Sequence, residues 1–312
     1  MKQDIILPSD FKARSHALLG RENKTYLKYC KIPLRRAIRI NTLKATVSEC
    51  TQRLKDHGFI LKPIPWTRHG FWIENKADIA LGNTLEHFLG YFYVQEASSM
   101  IPPLVLDPKK YETILDTCAA PGSKTTQMAE MMENTGLIIA NDSNMSRIKA
   151  LRYNLDKSGI INTIVTRMDA AKLNKSHIQF DKILIDAPCS AEGTIRKDWK
   201  VLSRWSETLI HGLSRLQKHI TTNAIHCLKP GGTMVYSTCT LAPEENEEVI
   251  TNLLDKVKGL TVEKITLDGL KTRPGIEEWQ GRQYTEQVKN CARIYPQDND
   301  SEGFFVAKIK KE

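Results

Sequence analysis

Ile114-Leu-Asp-Thr-Cys-Ala-Ala-Pro-Gly-Ser-Lys124 is the stretch whose reading decides the fold. An apolar run, Ile114 and Leu115, ends at an acid and passes through small residues into a Pro-Gly turn. A helix then opens at Ser123-Lys-Thr-Thr126. Small side chains let a ligand approach the backbone, and exposed amides at a helix start favour polar or anionic groups. Taken singly, such a unit reads equally well as an ordinary strand-to-helix connection.

The residues that follow repeat the pattern. Gly136 to Asp142 reads as a second buried strand ending in a carboxylate, with a helix from Ser143 to about Lys157. Thr163 to Met168 reads as a third strand, ending at Asp169, and Lys182 to Asp186 as a fourth. Apolar strands alternating with helices predict a parallel sheet covered on both faces, with ligands at the carboxyl ends of its strands. Each acid alone is as readily a helix cap. As a set they point to a nucleoside-containing cofactor, with Asp142 placed to accept from ribose hydroxyls.

The chemistry turns on two cysteines. The fourth strand runs into Asp186-Ala-Pro-Cys189-Ser, and a fifth, Thr233 to Cys239, ends before Pro243 starts a helix carrying Glu244, Glu245, Glu247 and Glu248. A free cysteine is more often a small buried hydrophobe than a nucleophile. Here each follows a strand end beside a helix start, where positive potential is expected to lower a thiol pKa. Adjacent central strands would bring both to one cleft.

Cys-Ala-Ala-Pro-Gly-Ser-Lys-Thr-Thr-Gln from Cys118, Asp-Ala-Pro-Cys-Ser from Asp186 and Tyr-Ser-Thr-Cys-Thr-Leu-Ala-Pro-Glu-Glu-Asn-Glu from Tyr236 resemble, in this order and spacing, the motifs of the Nop/Sun family of RNA (cytosine-5)-methyltransferases, which use S-adenosylmethionine. The resemblance runs from Arg36, through Tyr93 to Met100, to Gly303-Phe-Phe-Val-Ala. It implies that Cys239 is the nucleophile, adding to carbon 6 of cytosine, and that Cys189 helps remove the carbon-5 proton and release product. Asp186 would hold the pyrimidine edge and border the cofactor, and Lys124 would polarise that edge. Cys118, Ala119, Ala120, Pro121, Gly122, Ser123 and Lys124 would cradle the methionine part of the cofactor. Asp142 matches the ribose ligand, with Arg147 a turn beyond, and Asp169 the acid near the adenine. Cytosine-5 enzymes acting on DNA attack from a Pro-Cys motif, so Pro188-Cys189 alone would suggest the opposite assignment; the match at Ser-Thr-Cys-Thr places attack at Cys239. Carbon 5 is a poor nucleophile, and thiolate addition divides a hard step into easier ones.

The 312 residues carry 45 Lys+Arg against 36 Asp+Glu, net +9, which suits a polyanionic partner without proving one. No apolar leader and no stretch of membrane-spanning length is present in the sequence, so a soluble, cytoplasmic protein is expected. Seven cysteines with no Cys-x-x-Cys pair fit neither a disulfide framework nor a zinc site; no metal is expected, and Cys30, Cys50, Cys227 and Cys291 read as structural. Residues 1 to about 30 read as helical. Arg35 to Leu43, Phe59 to Pro65 and Gly70 to Glu74 read as strands, and Ser48 to His57 as a helix closed by Gly58.

This order predicts a small α+β module, RRM-like by resemblance, over residues 1–92. A Rossmann-like, seven-stranded class I methyltransferase α/β domain is predicted over 93–312. Arg35, Arg36, Arg39 and Lys44 read either as phosphate contacts or as packing on the catalytic domain. Tyr93 to Met100 is expected to be a joining helix, Ser206 to Leu228 a helix stopped by Lys229-Pro-Gly-Gly, and Lys271 to Asn290 a surface loop. Arg196, Lys197, Lys200, Trp199 and Trp205 lie in a basic, aromatic segment suited to a flipped nucleotide; Trp205 reads equally as a core anchor. The expected product is 5-methylcytosine in RNA, in tRNA as in the minimal archaeal-type members or else in rRNA, made by a monomer. An adenine amino-methyltransferase lacks its aromatic after Asp-Ala-Pro and leaves Cys239 idle, and a nicotinamide dehydrogenase lacks Gly-x-Gly-x-x-Gly. A non-catalytic RNA-binding or ribosome-assembly factor is the third reading.

Overall fold

The computed structural model describes residues 7–75, 77–175 and 178–312, so the first six residues of the stretch read as helical lie outside the described residues. Helices α1 (Ser9–Leu19) and α2 (Asn23–Cys30) lead the chain. They bury Phe11, Tyr26 and Cys30 against Leu241 and Tyr295, far along the sequence. A small antiparallel sheet follows, with β1 (Arg36–Ile40), α3 (Val47–Asp56), β2 (Leu61–Pro63), β3 (Gly70–Ile73), α4 (Leu85–Leu89) and β4 (Phe92–Val94), in strand order β2-β3-β1-β4. Thr46 caps α3 through the Glu49 amide, and the apolar stripe Cys50 and Leu54 packs on Ile38 and Ile40 of β1. Tyr93 and Val94, expected in a helix, are therefore strand residues: three backbone partners on β1, Ile38 to Ile40, claim Phe92 to Val94. Helical structure begins only at Ser98.

The large unit runs α5 (Ile101–Leu106), β5 (Thr113–Asp116), α6 (Ser123–Met131), β6 (Leu137–Asn141), α7 (Met145–Ser158), β7 (Thr163–Thr166), β8 (Phe180–Asp186), α8 (Val201–Arg204), α9 (Glu207–Ala224) and β9 (Leu228–Thr238). It continues through α10 (Glu247–Lys256), β10 (Leu260–Glu263), β11 (Arg273–Pro274), β12 (Glu278–Trp279), β13 (Arg282–Gln283), β14 (Ala292–Ile294), α11 (Pro296–Asn299) and β15 (Phe304–Lys311). Strands β5 to β9 pair in parallel, and β15 runs antiparallel against β9 and β14. The seven strands ordered β14-β15-β9-β8-β5-β6-β7 form the expected α/β sheet, which two short strands, β10 on β15 and β11 on β14, extend to nine. Ile114, Ile138, Ile183 and Met234 are fully buried, as strands covered on both faces require. Strand order reverses between β5 and β8, opening a crevice at their carboxyl ends.

Two further expectations are revised. Helix α9 ends at Ala224, and Lys229-Pro-Gly-Gly lies within β9. Phe180 pairs with Leu228 whereas Lys182 pairs with Thr233, so the extra residues bulge at Gly231, whose φ is +73°. Lys271 to Asn290 is no plain polar loop: it bears the β12–β13 hairpin and buries Trp279, Tyr284 and Val288.

The two sheets are locked by Arg39, 2% exposed. It donates to Ser123 O at 3.1 Å and Thr126 Oγ1 at 3.0 Å and pairs with Glu130 at 3.2 Å, all on α6. Arg35 lies over the Trp72 ring and pairs with Asp300 at 2.6 Å, and Lys44 donates to the carbonyls of Leu89 and Lys157. Arg39 is thus a packing residue, Arg35 is half-buried with both of these partners, and Lys44 and Arg36 are exposed.

Candidate active site

The turn after β5 places its residues through two constraints. Gly122 has φ +105°, a backbone that a side chain resists, and a Cβ there would lie 3.0 Å from Leu151 Cδ1. Ala120 donates its amide to Asp142 Oδ2 at 3.3 Å, tying the turn to the end of β6. Asp142, 2% exposed, also accepts from the Asn144 amide and pairs with Arg147 at 3.3 Å; Arg147 returns a bond to Ala120 O. Asn144 caps α7, which therefore starts at Met145, two residues later than read. Asp169 stands three residues past β7, half-exposed.

Of these residues Asp142, Arg147 and Asp169 line one cavity of about 290 Å³, together with Cys118, Asp186, Cys189 and Cys239. Cys118 is half-buried among carboxylates, and loss of solvent first, then the charges of Asp116, Asp186 and Asp142, against the Thr117 hydrogen bond, push its thiol up to about 12, too high for a nucleophile at neutral pH. Lys124 does not line the cavity. It is buried behind Asp186, donating to Oδ2 at 2.6 Å and to Ser99 Oγ at 3.1 Å, while Ser237 donates to Asp186 Oδ1 at 3.0 Å. Burial pulls the Lys124 ammonium down, but Asp186, through its charge and its hydrogen bond, together with Cys239 and Asp116 outweighs burial, so its pKa is raised and the charge is kept.

The Cys189 and Cys239 sulfurs stand 3.2 Å apart. The expectation that a helix start lowers both pKa values is overturned for Cys189, whose thiol is pushed well up, first by its hydrogen bond to Cys239, then by burial and by the charges of Cys239 and Glu245. The nearest helical turn after it, Glu192–Thr194, is a single 3-10 turn with its own buried glutamate, which offers no positive potential to the sulfur. Cys189 therefore keeps its proton and can donate it towards Cys239. Cys30 and Cys50 are buried, their thiols pushed up to about 12 by burial, and Cys227 and Cys291 are buried too.

The segment after Cys189 divides. Arg196, 4% exposed, is consumed by the carbonyls of Ile32, Pro33 and Ser301 and by Asp300, and is not free for nucleic acid. Trp205 anchors the segment, donating to Glu192 at 2.7 Å and meeting Phe11 edge-on. Lys197, Trp199 and Lys200 stay exposed. Sequence reading missed Leu216 and Ile220 of α9, which line the cavity, because an amphipathic helix does not announce which strand ends it covers. It also missed Gly193, whose amide donates to Cys239 O at 2.9 Å and where a Cβ would fall 1.9 Å from Gly303 O.

Among the described residues no group of His, Cys, Asp or Glu side chains is arranged to hold a metal, and no helix is long and apolar enough to cross a membrane. The family profile described as 16S rRNA methyltransferase RsmB/F matches residues 103–310, and that for the N-terminal domain of 16S rRNA methyltransferase RsmF matches residues 7–97. The tRNA (cytosine(49)-C(5))-methyltransferase of Pyrococcus abyssi is 47% identical over 97% of this chain and 98% of its own length. The ribosomal RNA small subunit methyltransferase F of Vibrio parahaemolyticus is 41% identical over the whole chain, which spans 64% of that protein. NSun6 from Pyrococcus horikoshii, solved with SFG, an S-adenosylmethionine analogue, superposes with a TM-score of 0.86 over 97% of this chain and 98% of its own, at 26% identity.

Proposed function

Because the chain belongs to the RsmB/F family of methyltransferases, we propose that it methylates carbon 5 of cytosine in RNA, with S-adenosylmethionine as methyl donor and Cys239 as nucleophile. The observation that carries this reading is the pair of sulfurs 3.2 Å apart, in the cavity that also holds the acids ending β6 and β7.

The cavity suits that cofactor. Asp142 and Asp169 offer carboxylates to ribose hydroxyls and a base amino group, while Ala170, Pro188, Leu216 and Ile220 give an apolar wall for a purine. The turn from Cys118 through Ala119, Ala120, Pro121, Gly122 and Ser123 to Lys124 would hold the methionine part, and Arg147 fixes that turn through Ala120 O. When bound, the cofactor supplies an electrophilic methyl group.

The chain's own residues prepare the cytosine. Cys189 keeps its proton 3.2 Å from the Cys239 sulfur, and the positive charge of the buried Lys124 ammonium acts on that same Cys239 sulfur. That sulfur bonds to carbon 6, and the displaced electron pair makes carbon 5 nucleophilic. Asp186, oriented by Lys124 and Ser237, accepts from the pyrimidine edge. On release the carbon-5 proton passes to the Cys189 sulfur, which has by then given its own proton to solvent; the freed electron pair re-forms the double bond between carbons 5 and 6, and the Cys239 sulfur leaves carbon 6 as a thiolate.

The substrate we favour is tRNA, on the strength of similarity to the P. abyssi enzyme over both full lengths; the rRNA relatives support a second reading. We read residues 1–92 as an N-terminal RNA-facing unit and 93–312 as the catalytic unit of a cytoplasmic monomer. Exposed Lys197, Trp199 and Lys200 would meet nucleotides flanking the target. Labelled RNA with the Cys189→Ala chain should give an adduct that survives denaturation, whereas Cys239→Ala should give none. An adduct in Cys239→Ala would reassign the nucleophile.

A further inference from the structure

A buried carboxylate from the motif that carries Cys239 and a glutamine bound to it hold the backbone on the two sides of Cys189. Glu245 is fully buried, yet accepts from the Ser190 amide at 3.0 Å, from Ser190 Oγ, and from Gln217 Nε2 at 2.8 Å. The same Gln217 amide nitrogen donates to Pro188 O at 2.8 Å, so the peptide oxygen before Cys189 and the peptide nitrogen after it are both bound to one Glu–Gln pair. Ser190 Oγ also lies 2.9 Å from Thr240 Oγ1, linking the residue after each cysteine to the other. Glu245 is anchored at its own backbone by Tyr236, whose hydroxyl donates to Glu245 O at 2.6 Å. Taking a carboxylate out of water is costly unless its lone pairs are used, and here three donors use them. Each of these bonds ends on a residue next to one of the two cysteines or on Glu245 itself, so the bonds act on the thiol-bearing turns.

We propose that Glu245 and Gln217 are positioning residues that hold Cys189 against Cys239, acting on product release and not on cofactor binding. The proposal rests on the roles given above to the two thiols. Burial raises the Glu245 carboxyl to about 7 even though the Ser190 and Gln217 donors pull it down.

Two measurements on the full chain test this separately. The first needs no RNA: diamide oxidises two adjacent thiols to a disulfide, the sulfurs losing two protons and two electrons to its N=N bond, which becomes a hydrazine. Peptide mapping should show a rapid Cys189–Cys239 bridge in the parent chain. Gln217→Ala and Glu245→Ala should form it at least about 10-fold more slowly, since a sulfur displaced by about 1 Å loses the near-contact geometry. Glu245→Gln, which keeps the shape and an acceptor for the Ser190 amide, should recover most of the rate. Unchanged bridging in Gln217→Ala overturns the proposal, and Gln217→Ala guards against a Glu245→Ala chain that fails to fold. The second compares turnover on unmodified tRNA and rRNA. Both alanine variants should lose kcat on the order of 10²-fold with KM for the cofactor unchanged, and accumulate the covalent adduct as Cys189→Ala does. A variant that loses kcat without adduct, while Cys189→Ala traps it, sinks the positioning role alone. No adduct in Cys189→Ala sinks the thiol assignment instead, and the bridging rates still decide the geometry.

Discussion

Arg293→Met tests how the turn carrying Cys239 is held in place. Arg293 is 1% exposed and grips Glu247, itself fully buried, through two bonds of 2.6 and 2.7 Å; it also donates to Leu241 O at 3.0 Å and to Tyr295 Oη at 3.2 Å. Leu241 lies two residues beyond Cys239. Methionine fills most of the volume but leaves the Glu247 charge buried without its partner. Breaking a buried pair from one side costs about 3–5 kcal/mol, whereas replacing both partners with apolar groups costs far less. With an unfolding entropy of about 2.1 cal/mol/K per residue, 312 residues give about 0.66 kcal/mol/K, so Tm should fall by about 5–8 °C. Thermal unfolding followed by circular dichroism reads this directly. Adding Glu247→Leu should recover part of the loss, short of full recovery because the Ile276 amide, which donates to Glu247 Oε1 at 3.1 Å, is then unpaired at about 1–3 kcal/mol. A fall under about 2 °C for the single variant, or a double variant worse than the sum of the two, would refute the reasoning.

Cys239→Ala should abolish methyl transfer while cofactor binding, followed by calorimetry, stays within about twofold; retained turnover would contradict its role. Gly122→Ala should cost about 1–3 kcal/mol from its φ of +105° and weaken cofactor binding by displacing the turn over α7, measured by denaturation and titration. Burial pushes the Asp116 carboxyl up to about 7, against the Thr125 hydrogen bond. The unfolded chain releases this proton near pH 4 and the folded one only near 7, so the folded state is penalised increasingly across that window and fully above it. Asp116→Asn, which still accepts from Thr125, should therefore gain stability relative to the parent between pH 4.5 and 8, and a flat or opposite trend in denaturation midpoints would count against the burial argument.

What the sequence made legible follows from local physics. Strand β5, its small-residue turn and the acids after β6 and β8 were readable because buried parallel strands are continuous apolar runs and because polar residues gather at their ends. The meeting of Cys189 with Cys239 was legible from two strands expected to be neighbours, and β8 does pair with β9. Long-range choices were not legible. Arg196 looks free in a basic segment, but its partners, Ile32 and Ser301, lie 164 and 105 residues away. The Tyr93 stretch carries helix-compatible residues, yet an open edge on β1 takes it as a strand. The raised Cys189 pKa came from a sulfur and a glutamate 50 and 56 positions away, Cys239 and Glu245, against a local helix-start argument that pointed down. Composition shows a glutamate-rich run after Cys239; only the fold shows that Glu245 turns inward to Ser190 while Glu248 meets Lys218 and Arg282.

The central claim is tested most directly by incubating the purified chain with methyl-labelled S-adenosylmethionine and separate pools of unmodified tRNA and rRNA, then digesting to nucleosides and locating the label. The account predicts label in 5-methylcytidine, from the tRNA pool, with none when Cys239 is replaced by alanine. Label in any other nucleoside, or in 5-methylcytidine made equally well by Cys239→Ala, would contradict it.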